Sequence, residues 1–289
     1  DSPLPLESGR KLSSFDLGYE TYGRLNPARD NAVLVCHGLT HSSHAAGKHE
    51  PADTRAGWWD AVIGPGKSLN TNHWFVICIN CLGGCHGSTG PSSINPSSGR
   101  PFAADFPVVT ISDMVLSQKR LLDDMGVTSL AAVIGGCMGG FQVLEWLTRF
   151  PGSVRNAVAL STAPKASAHT LALWEVVRQA VMSDPDWHGG AYYDAPQGNG
   201  PRRGMGLASM FGMMLWMDRQ IMEEKYGRRQ LNPRLGYSLA PDYQIQELFQ
   251  NIGQNAGGGL DANSLIYLTK AMDYFDLTAG SPPRLEDLA

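Results

Sequence analysis

Residues 131–146 read AAVIGGCMGGFQVLEW: an apolar run, then a glycine-dense turn, then a stretch with helical periodicity. With cysteine in place of serine, the segment Gly135-Gly-Cys-Met-Gly139 matches the nucleophile-elbow pattern G-x-S-x-G, a sharp turn between a strand and a helix. Such a turn needs small neighbours because the backbone folds tightly around its central residue. The stretch therefore predicts a strand, a strained turn and a helix, with the turn presenting the thiol of Cys137.

A thiol at this position can act as a nucleophile. The amides and the positive dipole end of a helix N-terminus stabilise a thiolate, which is the reactive form of cysteine. The alternative is a glycine-rich turn that holds a packed, unreactive cysteine, since free cysteines are frequently buried. Because the strand pattern, the glycines and the helix pattern occur together, we favour Cys137 as the nucleophile.

Composition limits the class of protein. A chain of 289 residues, 43% of them hydrophobic, can bury the core of one large domain or of a domain with an insertion. Its formal charge of −4 gives no basic surface for nucleic acid. No apolar run approaches the ~18 residues of a membrane span. Five cysteines, an odd number without a disulfide-scaffold spacing, indicate reduced thiols and a cytoplasmic protein.

The first half of the chain predicts a mostly parallel sheet. Continuous apolar runs at 31–36, 74–80, 129–134 and 154–160 alternate with turns and helical patterns, of which Asp113 to Met125 is the clearest. Strands separated by helices indicate βαβ units. Strands of a parallel sheet are buried on both faces, which explains why these runs are continuous rather than alternating.

The second half predicts a helical insertion. Met-rich helical segments are expected at 171–183, 206–226 and 242–252, separated by loops rich in Gly, Pro and Asn. A helical block that follows a β/α core is typical of an inserted cap. We therefore expect an α/β core over 1–162, a helical cap over 163–279 and the start of a returning core segment at 280–289.

A second part of the predicted site follows the first apolar run. His37-Gly38-Leu39-Thr40 lies where the second oxyanion amide is placed in folds that carry this elbow. The amides of Leu39 and Met138 could together hold the oxyanion of a tetrahedral intermediate. We predict that these two residues form the oxyanion hole.

Two groups of residues invite a metal interpretation, and the sequence favours neither. Cys78, Cys81 and Cys85 have no second cysteine or histidine pair that would complete a zinc site, and Cys78 falls inside an apolar strand. The histidines at 37, 41, 44 and 49 fit no common helical ligand pair, so a loop that lines a pocket is the better interpretation. No metal site is predicted.

The chain closely resembles the homoserine O-acetyltransferase family of α/β-hydrolase-fold acyltransferases. The matching segments run through nearly the whole chain, and the block at 82–96 is the most specific. They are His37-Gly-Leu-Thr40, Gly57-Trp-Trp-Asp60, Ile63-Gly-Pro-Gly-Lys67, Leu82-Gly-Gly-Cys-His-Gly-Ser-Thr-Gly-Pro-Ser-Ser-Ile-Asn-Pro96, Asp105-Phe-Pro107, Val133-Ile-Gly-Gly-Cys-Met-Gly-Gly140 and Asp261-Ala-Asn-Ser264. The resemblance implies an α/β-hydrolase fold, mostly parallel, with an inserted helical cap.

The resemblance also implies a ping-pong reaction without a bound cofactor. Acetyl-CoA, or another acyl-CoA, acylates the elbow residue, and a hydroxyl or amine of a small-molecule acceptor then takes the acyl group. The candidate substrate-binding residues are Thr40, Arg202, Ser209 and Trp216. Here Cys137 replaces the serine of the family, and the resulting thioester stays reactive enough to pass its acyl group on.

The cap departs from the family pattern at the acceptor position. Relatives carry an arginine there, and this chain has Ser209, while Thr-Tyr has become Leu215-Trp216. Loss of a guanidinium removes the natural partner of a substrate carboxylate. We therefore expect an acceptor less polar than homoserine. Two alternatives remain open: a hydrolase of the same fold that uses water as the acceptor, and a non-catalytic homologue that serves as a binding or scaffold subunit.

The triad partners of the nucleophile are not recognisable. In this fold the acid and the histidine follow the nucleophile in the chain. After Cys137 the histidines are His169 and His188, both near the start of the helical block, and no further strand can be recognised after Ala279. We expect a second chain or a C-terminal segment that adds strands and supplies an Asp and a His, and we expect a homodimer.

Overall fold

The computed structural model describes residues 3–195, 200–256, 259–279 and 284. Its strands are β1 (Leu4–Pro5), β2 (Lys11–Leu12), β3 (Tyr19–Tyr22), β4 (Ala32–Cys36), β5 (Ile63–Gly64), β6 (Leu69–Asn70), β7 (Phe75–Ile79), β8 (Ile94–Asn95), β9 (Arg100–Pro101), β10 (Ala132–Gly136) and β11 (Ala157–Leu160). Its α-helices are α1 (Ile111–Asp124), α2 (Met138–Arg149), α3 (Ala168–Met182), α4 (Arg202–Trp216), α5 (Arg219–Lys225), α6 (Gln244–Gln254) and α7 (Ala262–Tyr274). Within these described residues, no helix is both long and apolar enough to span a bilayer.

A five-stranded sheet in the order β11-β10-β4-β7-β3 forms the centre of the first half of the chain. β4, β7, β10 and β11 run parallel, and β3 is antiparallel to β7 at one edge. The four strands predicted from apolar runs are β11, β10, β4 and β7, so the predicted mostly parallel α/β fold is confirmed. β3 was not predicted because its four residues, Tyr-Glu-Thr-Tyr, contain no apolar run.

The sheet is covered on both faces, which is why its central strands are continuously apolar. Every residue of β4 and β7 is buried. On one face Leu34, Ile77 and Val133 pack in a cluster that includes Trp146 of α2. Cys78 lies in the cluster on the other face, fully buried, as its place in an apolar run predicts.

The edge formed by β11 is different. All four of its residues are exposed, including Val158 at 42% and Leu160 at 44%. β11 pairs with β10 on one side, and no other described strand pairs with its outer side. This edge therefore exposes both its backbone groups and its apolar side chains.

The chain divides into two compact units, one of Asp1–Ser167 with Ser264–Ala289 and one of Ala168–Asn263. The second unit ends at Asn263, whereas the expected cap extended to 279, so α7 from Ser264 onwards belongs to the first unit. Phe275, just after α7, stacks on Phe141 of α2 with ring centroids 4.8 Å apart. The Tyr267 hydroxyl of α7 donates to the backbone oxygen of Phe106 at 2.8 Å. The expected segment 280–289 lies, apart from Arg284, outside the described residues.

The second unit contains helices α3 to α6. The single helix expected over 206–226 is two helices, because Met217 has extended backbone and the Asp218 side chain begins α5 by accepting from the amides of Gln220 and Ile221. Two glycines allow α4 to approach its neighbours closely. A Cβ on Gly204 would lie 2.5 Å from the Ala180 oxygen of α3, and one on Gly206 would lie 2.6 Å from the Gly253 oxygen of α6.

Candidate active site

The elbow predicted from the sequence is present. β10 ends at Gly136, α2 begins at Met138, and Cys137 joins them with φ 57° and ψ −123°. A non-glycine residue with this backbone is strained, at a cost of the order of 1–3 kcal/mol, and such strain clusters at functional sites. The turn is held by the Cys137 amide, which donates to the Leu160 oxygen at 3.0 Å, and by the Cys137 oxygen, which accepts from the Gly140 amide at 2.9 Å.

The glycines around Cys137 are required by close packing. A Cβ on Gly139 would overlap the backbone oxygen of Cys36 at the end of β4, and a Cβ on Gly135 would overlap the Gly139 oxygen. A Cβ on Gly140 would lie 2.5 Å from the Cβ of Thr162. The first turn of α2 is therefore pressed against the carboxyl ends of its neighbouring strands, and side chains larger than hydrogen are excluded there.

Cys137 differs from the buried cysteines in accessibility. Its side chain is exposed and makes no hydrogen bond to any described residue. Cys36, Cys78 and Cys81 are buried, and burial raises the pKa of each thiol, for Cys81 to about 12. Those three remain thiols at neutral pH. Of these four cysteines, Cys137 alone is open to a substrate.

The predicted oxyanion residues lie beside the elbow. A Cβ on Gly38 would lie 3.8 Å from the Cβ of Cys137, so the loop after β4 passes next to the nucleophile position. The Leu39 amide in this loop donates to no described residue. The Met138 amide opens α2, where the first amides of a helix have no intrahelical acceptor. Their assignment as an oxyanion hole stays a prediction.

His37 is a structural residue, although the sequence placed it in a loop lining a pocket. It is 3% exposed, its Nε2 accepts from the Cys81 amide at 3.0 Å, and its Nδ1 donates to the Gly38 oxygen at 2.8 Å. Burial lowers the pKa of His37 to about 4. The neutral ring therefore ties the loop after β4 to the loop after β7.

The other three histidines of that loop separate into two places. His41 lies near the elbow, since a Cβ on Gly38 would be 3.5 Å from its Nδ1, and its ring lies 4.8 Å from that of Trp58. Burial lowers the pKa of His41 below its ordinary value. His44 and His49 instead contact Glu20 of β3.

A buried polar chain behind the elbow was not predicted. Trp146 Nε1 donates to Gln118 Oε1 at 2.9 Å, Gln118 Nε2 donates to Gln142 Oε1 at 2.7 Å, and Gln142 Nε2 donates to Cys81 Sγ at 3.3 Å. Both glutamines are essentially unexposed. The chain joins α1, α2 and the loop after β7. The sequence signal that could have indicated this chain of hydrogen bonds was Gln142, a polar residue among the apolar residues of α2.

The predicted substrate-binding residues fall in both units. Thr40 is exposed in the loop of the first unit that follows Leu39. In the second unit Arg202 and Trp216 are exposed and Ser209 is half-buried. These three residues of α4 are spaced by seven, so they share one helix face. Arg202 also lines a groove of about 720 Å³ between α4 and α6.

Comparison with known proteins identifies the family. A family model described as alpha/beta hydrolase fold matches residues 31–210. The chain is 50% identical over 282 residues to a homoserine O-acetyltransferase of Solidesulfovibrio magneticus, covering 96% of this chain and 70% of that protein. It is 47% identical over 282 residues to a homoserine O-succinyltransferase of Pseudomonas putida (strain W619), covering 97% of this chain and 74% of that protein.

Solved structures agree. A homoserine O-acetyltransferase from Bacillus anthracis superposes with a TM-score of 0.88 at 34% identity, over 96% of this chain and 74% of that one. The esterase E22 gives a TM-score of 0.83 at 32% identity, over 95% of this chain and 77% of that one. The elbow, the parallel sheet and these relatives together show that the chain belongs to the homoserine O-acyltransferase family, whose members are acyltransferase enzymes with an α/β-hydrolase fold.

Proposed function

We propose that this acyltransferase moves an acetyl or other acyl group from acyl-CoA to a hydroxyl or amine acceptor through a thioester on Cys137. The observation that carries the proposal is the exposed Cys137 side chain in a strained turn at the start of α2. The thiolate attacks the carbonyl carbon of acyl-CoA, and the tetrahedral intermediate collapses with CoA as the leaving thiolate. The acceptor then attacks the enzyme thioester and regenerates the Cys137 thiolate.

The amides of Leu39 and Met138 would stabilise the oxyanion in both steps. Support comes from the loop after β4, which passes next to the Cys137 Cβ, and from the helix-initial position of Met138. Loss of one such donor typically costs about 10²–10³-fold in rate. Of the amino acids only proline lacks the backbone N–H, so any other substitution leaves these donors in place and tests them through their geometry.

The second step needs a base, because an acceptor hydroxyl must lose its proton as it attacks. General-base help is worth about 10²–10⁴-fold in such a step. We propose that an Asp and a His come from further polypeptide, a second chain or a C-terminal segment, that pairs with β11. The exposed apolar edge of β11 supports this. The homodimer stays a prediction.

We propose that the acceptor is not simple homoserine, which is the acceptor in the names of the relatives. Ser209 offers no charge for a carboxylate. Arg202 shares its helix face but lies two turns away, roughly 10 Å along the axis. An acceptor that reaches from Ser209 to the Arg202 guanidinium would be longer than homoserine, and exposed Trp216, two turns from Ser209 in the other direction, offers an apolar surface at the opposite end.

A hydrolase is the second candidate, favoured by the structural similarity to esterase E22. A panel assay separates the two functions. The enzyme with all its associated chains is incubated with acetyl-CoA, and CoA release is followed with water alone, with homoserine and with longer amino alcohols. A transferase releases CoA faster when its acceptor is present and yields an acetylated product. Equal rates with every acceptor, and free acetate as the product, would establish the hydrolase instead.

A further inference from the structure

Glu20, His44 and His49 form a cluster outside the elbow. His44 Nδ1 lies 3.0 Å from Glu20 Oε2, and His49 Nε2 lies 3.0 Å from Glu20 Oε1. The two imidazole rings have centroids 3.9 Å apart. One nitrogen from each ring and one carboxylate oxygen all lie within 4.8 Å of one another. The proposed acyl transfer uses none of these three side chains.

The fold holds this cluster in place from both sides. Glu20 and Tyr22 of β3 point to the same face of the strand, since side chains two apart in a strand do so. The Tyr22 hydroxyl donates to Glu20 Oε2 at 2.8 Å and accepts from the Ala45 amide at 2.8 Å. It therefore fixes the carboxylate and the loop that carries His44 together.

The His49 end of the loop is also fixed. The carboxylate of Asp53 accepts from the backbone amide of His49 at 2.9 Å and from that of Glu50 at 3.0 Å. The Asp60 carboxylate accepts from the Gly47 amide at 2.8 Å. The backbone between His44 and His49 is thus anchored at several points before any ligand arrives, which lowers the entropy cost of binding one.

We propose that Glu20, His44 Nδ1 and His49 Nε2 bind a zinc ion, with water in the fourth position. Zinc takes histidine nitrogens at about 2.0–2.1 Å and carboxylate oxygens at about 2.0–2.2 Å, and its ligands are then roughly 3.4 Å apart in tetrahedral geometry. His44 Nδ1 lies 3.0 Å from Glu20 Oε2, within a few tenths of an ångström of that value, and His49 Nε2 lies 3.0 Å from the other oxygen, Oε1. A rotation of the Glu20 carboxylate together with a small shift of the His49 ring would bring both nitrogens and one oxygen to the ion.

The donor set selects zinc over the common hard cations. Two imidazoles with one carboxylate suit zinc, whereas calcium and magnesium prefer oxygen ligands. Without the ion, the imidazole N–H groups donate to Glu20. To coordinate through those nitrogens, each neutral ring must be the tautomer that carries its proton on the other ring nitrogen, so the proton is exchanged between the two ring nitrogens through solvent and the freed lone pair binds the ion. Water reaches the site because the His49 side chain is 64% exposed.

Zinc at this site would restrain the loop that also carries a predicted oxyanion residue next to the elbow. The segment from His37 to His49 contains the predicted oxyanion residue Leu39 near its start and the two proposed zinc ligands His44 and His49 in its second half. Zinc would join its far end to the edge strand β3. Because zinc binds the folded chain at a site that the unfolded chain lacks, it should raise the melting temperature.

Calorimetric titration of the untagged protein with zinc chloride tests the proposal. We expect one zinc ion per chain. In Glu20→Gln and in His49→Ala the zinc affinity should fall by more than the roughly 10–100-fold that follows from loss of an outer-shell partner. His49 is exposed enough that its substitution should leave the fold intact, which circular dichroism checks. His73→Ala is the matched control, because His73 is also exposed and lies outside the cluster.

Cobalt substitution identifies the ligands directly. The proposal predicts a four-coordinate visible spectrum without a sulfur-to-metal charge-transfer band, unchanged in Cys137→Ser. A charge-transfer band that disappears in Cys137→Ser would place the metal on the exposed thiol and overturn the proposal. The absence of saturable zinc binding, or an unchanged zinc affinity in both Glu20→Gln and His49→Ala, would overturn it as well.

Discussion

The elbow and helix α4 differ in how their residues are surrounded. Around the elbow, Met138 is fully buried and glycines bring α2 against the strands without space for a methyl group. On α4, by contrast, Leu207, Met214 and Trp216 are 49–61% exposed. The elbow has the G-x-S-x-G backbone pattern with a cysteine at its tip, whereas α4 carries the residues that we propose contact the acceptor. We infer that close packing constrains the elbow more strongly than it constrains the exposed face of α4.

The largest effect is expected at the tip of the elbow. Cys137→Ala should lower acyl transfer by roughly 10³-fold or more, because no nucleophile remains. The free energy of unfolding should change little, since the side chain is exposed. Cys137→Ser is the control and should retain measurable transfer, because the turn already suits a serine. Steady-state rates and urea unfolding of the three proteins check this, and undiminished transfer by Cys137→Ala would rule out the nucleophile.

The next effect concerns the packing beneath the elbow. Gly139→Ala should lower the free energy of unfolding by about 3 kcal/mol, because the added methyl group overlaps the Cys36 oxygen. Gly152→Ala is the matched control, since a Cβ there meets nothing within 4 Å, and should stay within about 0.5 kcal/mol. Urea unfolding measures both. Equal stabilities would show that the elbow is less tightly packed than the structure indicates.

His37 should make the stability of the same region depend on pH. Burial lowers its folded-state pKa to about 4, below the ordinary value of 6.5, so the unfolded chain binds the proton more readily. The contribution of neutral His37 to the free energy of unfolding is therefore present above about pH 6.5 and is lost as the pH drops towards about 4. Between about pH 7.5 and about pH 5 the loss is about 2 kcal/mol. His37→Gln should remove that share of the pH dependence, whereas exposed His73→Ala should leave it. An unchanged pH slope in His37→Gln would contradict the buried neutral ring.

The smallest effect is expected on α4. Ser209→Arg should improve the use of homoserine by about tenfold, the value of one charge-assisted hydrogen bond to a carboxylate, and should leave stability within about 0.5 kcal/mol. Ser209→Lys is a useful control, because it adds the charge without the fork-shaped donors. Competition between homoserine and a longer amino alcohol gives the ratio of kcat/KM values. Efficient homoserine acylation by the unchanged protein would remove the case for a different acceptor.

The sequence predicted the structure best where the local backbone or the local burial accepts only one type of residue. Continuous apolar runs and the glycines around Cys137 predicted the parallel strands and the elbow, because only such residues fit buried strands and that turn. Strand β3 was missed because it contains no apolar run, and helix α7 was missed because its contacts are with distant residues, such as that of Tyr267 with the backbone of Phe106. Likewise, the Glu20–His49 contact joins residues 29 apart in the chain and has no local pattern.

The acylation half-reaction tests the central claim most directly. It needs only the thiolate and the donor, so it is independent of the base that the second step requires. The protein is mixed with acetyl-CoA, quenched in acid and analysed by intact mass and peptide mapping. We predict one acetyl group per chain on the peptide that contains Cys137, removable by hydroxylamine as expected for a thioester and absent from Cys137→Ala. An unmodified Cys137, or an acetyl group on another residue, would contradict the account.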